Sequence, residues 1–325
     1  MPRILKIAVV IPCYKVKKHI LQVIKSIGVE VTKIYIIDDA CPEKTGAFVS
    51  RHCKDKRVTI LRNISNLGVG GAVMYGYQQA IQEKMDIIVK IDGDGQMDPR
   101  LIPIFTQPII CGVADYTKGN RFFDIDDLTS MPKIRLFGNA LLSFFTKFSS
   151  GYWNLFDPTN GYTAIHTSVA SHLPFHKISN RYFFETDMLF RLNLLRAVVI
   201  DIPMTAKYSG EISNLRISNI LFEFIIKHIR NLFKRILYNY YLRDLSIASI
   251  ELPLGIILLL FGFFYGLFNW SLSAHLGLRS SAGTVMLSAL PIMSGIQLIL
   301  AFLSYDMKSV PIYPRSRMLP LNTLR

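Results

Sequence analysis

The chain has 325 residues, half of them hydrophobic, with a positive mean hydropathy and a formal charge of +14. That length holds one large domain or two ordinary ones, and the charge calls for an anionic partner: nucleic acid, acidic lipid or a phosphorylated substrate. No zinc-finger spacing, RNA-binding signature or basic zipper occurs, which argues against nucleic acid, and Cys13, Cys41, Cys53 and Cys111 show neither paired nor metal-ligand spacing, so they read as reduced thiols.

The opening stretch MPRILKIAVVIP has an apolar core of about five residues, too short for a signal peptide, and reads as a first buried strand. From there apolar runs alternate with helical patterns. KIAVVIP (6–12) precedes a helix at 17–27, VTKIYIID (31–38) a helix at 43–54, RVTIL (57–61) a helix at 69–84, and DIIVKID (86–92) a helix from about Asp98. Strands alternating with helices predict a parallel sheet covered on both faces, whose ligands bind at the carboxyl ends of the strands. The chemistry-bearing residues follow strands in this way: Pro12 and Tyr14 the first, Asp38 and Asp39 the second, Asp92 and Asp94 the fourth. The glycines of NLGVGGAVMYGYQQA (66–80) follow the third strand and lack an acidic ribose reader, so they do not make a nicotinamide site. They read as room for a helix to start close to a bound nucleotide, with Asn66 helping to cap it.

Residues 216–244 carry six basic groups (Arg216, Lys227, Arg230, Lys234, Arg235, Arg243) against Glu223 and Asp244. Ile220, Phe224, Ile225, His228, Leu232, Ile236 and Tyr240 fall mainly along one helical face, with Lys and Arg between. This is an interfacial pattern beside acidic lipid. Two apolar stretches follow. Residues 245–268 hold one charge, Glu251, and residues 281–303 hold none; each is long enough as a helix to cross about 30 Å of hydrocarbon. Basic residues crowd before the first span and after the second (Lys308, Arg315, Arg317, Arg325), while the loop between holds a single Arg279. The positive-inside rule then puts both termini in the cytoplasm, in a multi-pass protein of the inner or cytoplasmic membrane. The spans also offer a surface for homo-oligomer formation.

VKIDGDGQMDP (89–99) crowds Asp92, Asp94 and Asp98 into seven residues. Two carboxylates spaced as Asp92-Gly-Asp94 at a strand end can share a hard divalent cation, Mg²⁺ or Mn²⁺, and leave positions open for phosphate oxygens.

With these residues the sequence resembles glycosyltransferase family 2. The likeness rests on VVIPCYK (9–15), IIDDACPEKT (36–45), NLGVGGAVMYGYQQA (66–80) and IDGDGQMDP (91–99). More narrowly it is similar to the polyprenyl-phosphate glycosyltransferases, through Gln96, GNRF (119–122), Arg135 with Asn139, DPTNGYTAI (157–165) and the two spans. The resemblance implies an α/β, Rossmann-like domain of the GT-A nucleotide-diphospho-sugar transferase type, followed by a two-helix transmembrane hairpin. The resemblance covers nearly the whole chain, without a counterpart for the tail after about 306; with the hydropathy and charge pattern, the chain divides into a cytosolic glycosyltransferase domain (1–215), basic juxtamembrane helices (216–244), two membrane helices (245–305) and a cytosolic tail (306–325). The resemblance further implies that Pro12, Tyr14, Asp38 and Asp39 serve a UDP- or GDP-linked sugar and that Asp92 meets the diphosphate–metal region. Asp94 and Gln96 would hold the metal with Asp92, while Arg121, Arg135 and Asn139 would hold the phosphate of a polyprenyl acceptor. Guanidinium groups match phosphate oxygens in fork geometry. The processive signature Q-x-x-R-W is absent and the donor-side loop reads AKYSGEISNL (206–215), where Lys207, Tyr208 or Ser213 would act. Transfer to a hydroxyl would instead require Glu185 or Asp187 as base, and an inactive membrane scaffold would need neither; Asp157 reads as a loop-fixing or substrate-contacting carboxylate.

Overall fold

The computed structural model describes residues 5–123, 133–205 and 217–320, and only the backbone at 133–137, 139 and 217–221. The chain divides into two units, Met1–Leu232 with Pro311–Arg325, and Phe233–Val310.

The first unit is built on a seven-stranded sheet in the order β3-β2-β1-β4-β6-β5-β7. Its strands are β1 (Ile7–Cys13), β2 (Val31–Asp38), β3 (Val58–Arg62), β4 (Ile87–Lys90), β5 (Tyr116–Asn120), β6 (Thr163–His166) and β7 (Val199–Pro203). Its helices are α1 (Ile20–Lys25), α2 (Thr45–His52), α3 (Gly68–Gln82), α4 (Ile102–Ile110), α5 (Lys133–Ser150), α6 (Thr167–Ala170), α7 (Phe184–Leu194) and α8 (Ile217–Leu237), the last running on across the division. β1 and β4 are buried almost throughout, because strands covered on both faces read as continuous apolar runs. They are adjacent and parallel, with Val10 opposite Lys90. Strand order reverses there, so the chain leaves β1 and β4 on opposite excursions and opens a crevice beyond their carboxyl ends.

The purely parallel sheet expected from the alternation holds for β1 to β4 and fails after them. β6 lies antiparallel between β4 and β5. The chain leaves β5, makes the excursion through α5, and re-enters beside β5 from the end it had left. A four-residue strand, TAIH, carries no pattern that would set its direction.

The C-terminal residues of this unit strap onto the same domain. Asp115, fully buried, accepts hydrogen bonds from Val198 N at 2.8 Å, Arg315 N at 2.8 Å and Ser316 N at 2.7 Å. Arg317 donates to the Cys111 carbonyl at 2.7 Å.

The second unit contains α9 (Ile247–Leu276) and α10 (Ala282–Lys308), each long and apolar enough to cross a membrane. Only 22% and 11% of their most apolar windows are buried within the chain, which sets them apart from the core helices of a soluble domain. They pack antiparallel through small residues: a Cβ at Gly255 would press on Gly295 and Ile299, and one at Gly262 on Ser288 and Ile292. Small residues at such a contact let two apolar helices approach closely along their backbones. At the base of the hairpin Arg235 forks onto Asp306 at 2.6 and 2.9 Å, and Tyr240 donates to the same carboxylate. Both charges are almost wholly buried, so each satisfies the other.

Candidate active site

The crevice at the strand-order reversal is an open cleft of about 760 Å³. It brings together Pro12 and Tyr14 after β1, Asp39 after β2, Gly68 at the start of α3, and Asp92 and Asp94 after β4. Five residues singled out from sequence (Pro12, Tyr14, Asp39, Asp92, Asp94) thus share one wall system although they span more than eighty positions. Arg181 and Tyr182 complete the wall, and sequence reasoning passed over both. The run SNRYFFETD (179–187) offered a signal, an arginine and a tyrosine just ahead of a helix.

The two neighbouring acids, Asp38 and Asp39, divide their work. Asp38 does not line the cleft. Its two oxygens accept from Cys41 N at 2.9 Å and Gly46 N at 2.8 Å, which fixes the turn into α2. Asp39 accepts from Leu67 N at 2.9 Å, Gly68 N at 2.8 Å and the Asn63 amide at 2.7 Å. Asp39 therefore caps α3 from another loop, where an anion is favoured by exposed N–H groups and the helix dipole. The cap expected from Asn66 is not made; its amide reaches only the Asp39 carbonyl, at 3.4 Å. The glycines of α3 also have a packing role beyond the one expected. A Cβ at Gly68 would lie 2.7 Å from the Asn180 carbonyl, and one at Gly70 2.5 Å from that of Ser179. They admit the segment that carries Arg181 and Tyr182, and of Gly68, Gly70 and Gly71 only Gly68 lines the cleft.

On the β4 side, Asp94 accepts from Gln96 N at 2.9 Å, which tightens the loop around Gly95, a glycine in the left-handed region at φ 81. Asp92 is joined by a residue absent from the sequence reading, Lys90. Its ammonium lies 2.9 Å from Asp92 Oδ1 and 3.6 Å from Glu185 Oε1. Burial pulls the lysine's pKa down, and Asp92 and Glu185 outweigh it, so the group sits above its ordinary value. Burial raises the Glu185 carboxyl above its ordinary value, and Lys90 offsets part of that rise. Asp187, buried, takes Ser179 N at 2.9 Å and the Asn231 amide at 3.1 Å, and so ties α7 to α8.

Could the acids hold a divalent cation? Among the described residues no group of three or more His, Cys, Asp or Glu side chains converges on one point. Asp92 and Asp94 offer hard oxygen ligands at the cleft surface and nothing closes the set. That fits Mg²⁺ or Mn²⁺ held by one or two carboxylates plus phosphate oxygens, and not an all-protein cage.

Arg121 does not line the cleft. Its guanidinium grips Asp157 through two bonds of 2.7 Å. Burial pushes the Asp157 carboxyl up, and the bonds and charge of Arg121, with Lys118, more than reverse this, so it lies below its ordinary value. Lys118 holds the same loop from behind, donating to the Phe156 and Asp157 carbonyls at 2.6 Å each. Four residues on, Gly161 packs against Lys90 and Asp92. The loop 157–161 thus links the Arg121 fork to the cleft carboxylates. Arg135 and Asn139 fall in α5, and their side chains lie outside the described residues, as do Lys207, Tyr208 and Ser213.

A family model described as glycosyl transferase family 2 matches residues 8–173, which is half of the chain and contains β1 to β6 with the whole cleft loop set on β1, β2 and β4. The chain belongs to glycosyl transferase family 2. It is similar, at 29% identity over 222 residues (68% of this chain, 89% of the relative), to an uncharacterized protein of Methanocaldococcus jannaschii. It is 27% identical to an undecaprenyl-phosphate mannosyltransferase of Micrococcus luteus over 180 residues, 55% of this chain and 73% of the relative. It is also 27% identical to a UDP-N-acetylglucosamine--dolichyl-phosphate N-acetylglucosaminyltransferase of Methanococcus voltae, covering 68% of this chain and 92% of that one. Among solved structures, glucosyl-3-phosphoglycerate synthase from Mycobacterium tuberculosis in complex with UDP superposes with a TM-score of 0.52. It covers 71% of this chain and 79% of its own at 17% identity, which shows a shared fold. The glycosyltransferase carries the GT-A fold with two apolar helices appended.

Proposed function

We propose that this glycosyltransferase moves one sugar from a nucleotide sugar to a polyprenyl phosphate, with inversion at the anomeric carbon, while anchored in a membrane. The observation that carries the reading is an Asp-x-Asp cleft in a chain whose α9 and α10 leave most of their apolar surface uncovered. The names of the relatives from Micrococcus luteus and Methanococcus voltae support a polyprenyl-phosphate acceptor.

The chemistry agrees with the way the carboxylates are spent. A phosphate monoester ionises for the second time near pH 6, so the acceptor is already a nucleophile and needs no strong base. Glu185 is engaged by Lys90, and Asp187 by Ser179 and Asn231. What remains for the protein is to orient and to stabilise charge. Pro12, Tyr14 and Asp39 would line the nucleoside. Asp92, Asp94 and Gln96 would hold Mg²⁺ or Mn²⁺, which when bound neutralises the departing diphosphate. Arg181, which lines the same cleft, would add a cation toward that charge. Arg121, aimed by Asp157, would meet the acceptor phosphate together with Arg135 and Asn139. The basic, amphipathic α8 would lie at headgroup level with both chain ends in the cytoplasm, and the spans could pair copies.

The test is to incubate full-length protein in detergent with UDP- and GDP-linked sugars, undecaprenyl phosphate and Mn²⁺, and to weigh the lipid product. One sugar on the lipid phosphate, with inverted anomeric configuration, is the expected result. Transfer only to a lipid-linked hydroxyl, or none with any donor that binds, would refute the acceptor assignment.

A further inference from the structure

Lys90 is an unusual charge to find in the middle of a sheet. It sits on β4 between β1 and β6, opposite Val10 on one side and Thr163 on the other, and is 1% exposed. An ammonium so placed is costly unless paired. Its partners are Asp92, two residues on along the same chain, and Glu185, at the start of α7. Gly161 closes the third side. A Cβ there would run into the ammonium and stand 2.9 Å from Asp92 Oδ2. Lys90 is too buried to touch a substrate, whereas Asp92 is 31% exposed at its side chain and lines the cleft.

We propose that Lys90 is a positioning residue of the donor site, which fixes Asp92 by one carboxylate oxygen and uses Glu185 as its counter-charge. This rests on the reading of Asp92 as a donor-side residue and adds two things to it. The first acid of Asp-x-Asp is held in place before any donor arrives, so no reorganisation is needed when the diphosphate binds. Glu185, the carboxylate nearest to a base role, is consumed in balancing a buried cation and takes no proton from the acceptor.

Full-length protein in detergent, carrying Lys90→Met, Glu185→Gln or both, separates these roles. The measurements are melting of the ligand-free protein and affinity for Mn²⁺ with UDP or GDP, whichever the wild type binds. Lys90→Met frees Asp92 and should weaken Mn²⁺–nucleotide binding roughly tenfold to a hundredfold, the scale of one charge-assisted hydrogen bond. Glu185→Gln alone should leave that affinity close to wild type. Combined with Lys90→Met it should recover part of the lost melting temperature, because the partly buried carboxylate left without its cation is gone. Should Lys90→Met fail to fold, recovery of folding in the double variant supports the proposal and its absence overturns it. Unchanged affinity in Lys90→Met, or strictly additive melting shifts, also overturns it. A Glu185→Gln protein that binds and melts normally yet turns over about a hundredfold more slowly would make Glu185 the proton acceptor instead. A wild type that binds Mn²⁺–nucleotide without glycosylating polyprenyl phosphate would refute the acceptor reading and leave these arms intact.

Discussion

Lys90 and Lys118 stand on one line across the sheet, each opposite Thr163, and are 1% and 2% exposed. Their surroundings give them opposite characters. Two carboxylates raise Lys90 above its ordinary pKa. Around Lys118 burial dominates and Asp201 only partly offsets it, so that group lies below its ordinary value. The remaining bonds of Lys118 go to main-chain carbonyls, those of Phe156 and Asp157 at 2.6 Å and that of its neighbour Gly119 at 3.2 Å. One ammonium is spent on a side chain that faces the cleft, the other on the course of a loop. A buried lysine is therefore not a functional signal by itself; what it holds decides.

The comparison breaks most readily at Lys118. Replacing it with Met leaves Asp201 without its cation and the 156–157 carbonyls without their donor. Stability should fall by about 3–5 kcal/mol, the usual cost of removing one partner of a buried pair, with the KM for donor nearly unchanged; thermal melting and initial rates read both. The cleft side should behave inversely. Asp94→Asn should slow turnover about a hundredfold to a thousandfold, comparable with losing one preorganised electrostatic contact. It should scarcely move the melting temperature, since Asp94 closes a surface loop. Turnover that persists in excess chelator would remove the cation from this reading.

Arg121 joins the two regions, and its variants sharpen the difference. Arg121→Ala should lower transfer to polyprenyl phosphate roughly tenfold to a hundredfold by loss of a charge-assisted contact. It also leaves Asp157 buried and unbalanced, so Arg121→Lys is the needed control. The lysine keeps the charge beside Asp157 but not the fork, and a rate well below wild type with normal donor affinity points to phosphate recognition.

The smallest effect is on acid stability. Asp157 has a folded pKa below its ordinary value of 3.8, so it contributes stability that is present above about pH 3.8 and lost as pH falls through the depressed folded value. Asp157→Asn should melt lower at neutral pH and lose less than wild type between pH 4 and 2. Parallel melting curves for the two proteins over that range would exclude the contribution.

A second contrast concerns the tail. Residues after the apolar helices carry no motif in sequence, yet among the described residues the backbone N–H groups of Arg315 and Ser316 join that of Val198 in donating to buried Asp115. A soluble fragment ended before α8 removes the hairpin and this strap together, so it should melt below the full chain for a reason unrelated to membranes.

What sequence alone determined is whatever follows from local pattern. The apolar runs marked β1 to β4 to within a residue or two at most ends, since parallel strands buried on both faces leave unbroken hydrophobic stretches. The strand-end rule then collected Pro12, Tyr14, Asp39, Asp92 and Asp94 on one crevice, and length with apolarity marked both long helices. Tertiary structure decided the rest. The direction of β6 depends on where α5 returns the chain. Asp38 and Asp39, identical in type and adjacent in sequence, part company only because one meets the α2 turn and the other the start of α3. Lys90 lies in a run that reads as plain strand, and its value as a charge arises from Glu185, ninety-five positions away, through a contact that no local pattern encodes. Local pattern sets which residues turn inward, but the energy of a buried charge is fixed by partners that only the completed fold brings near.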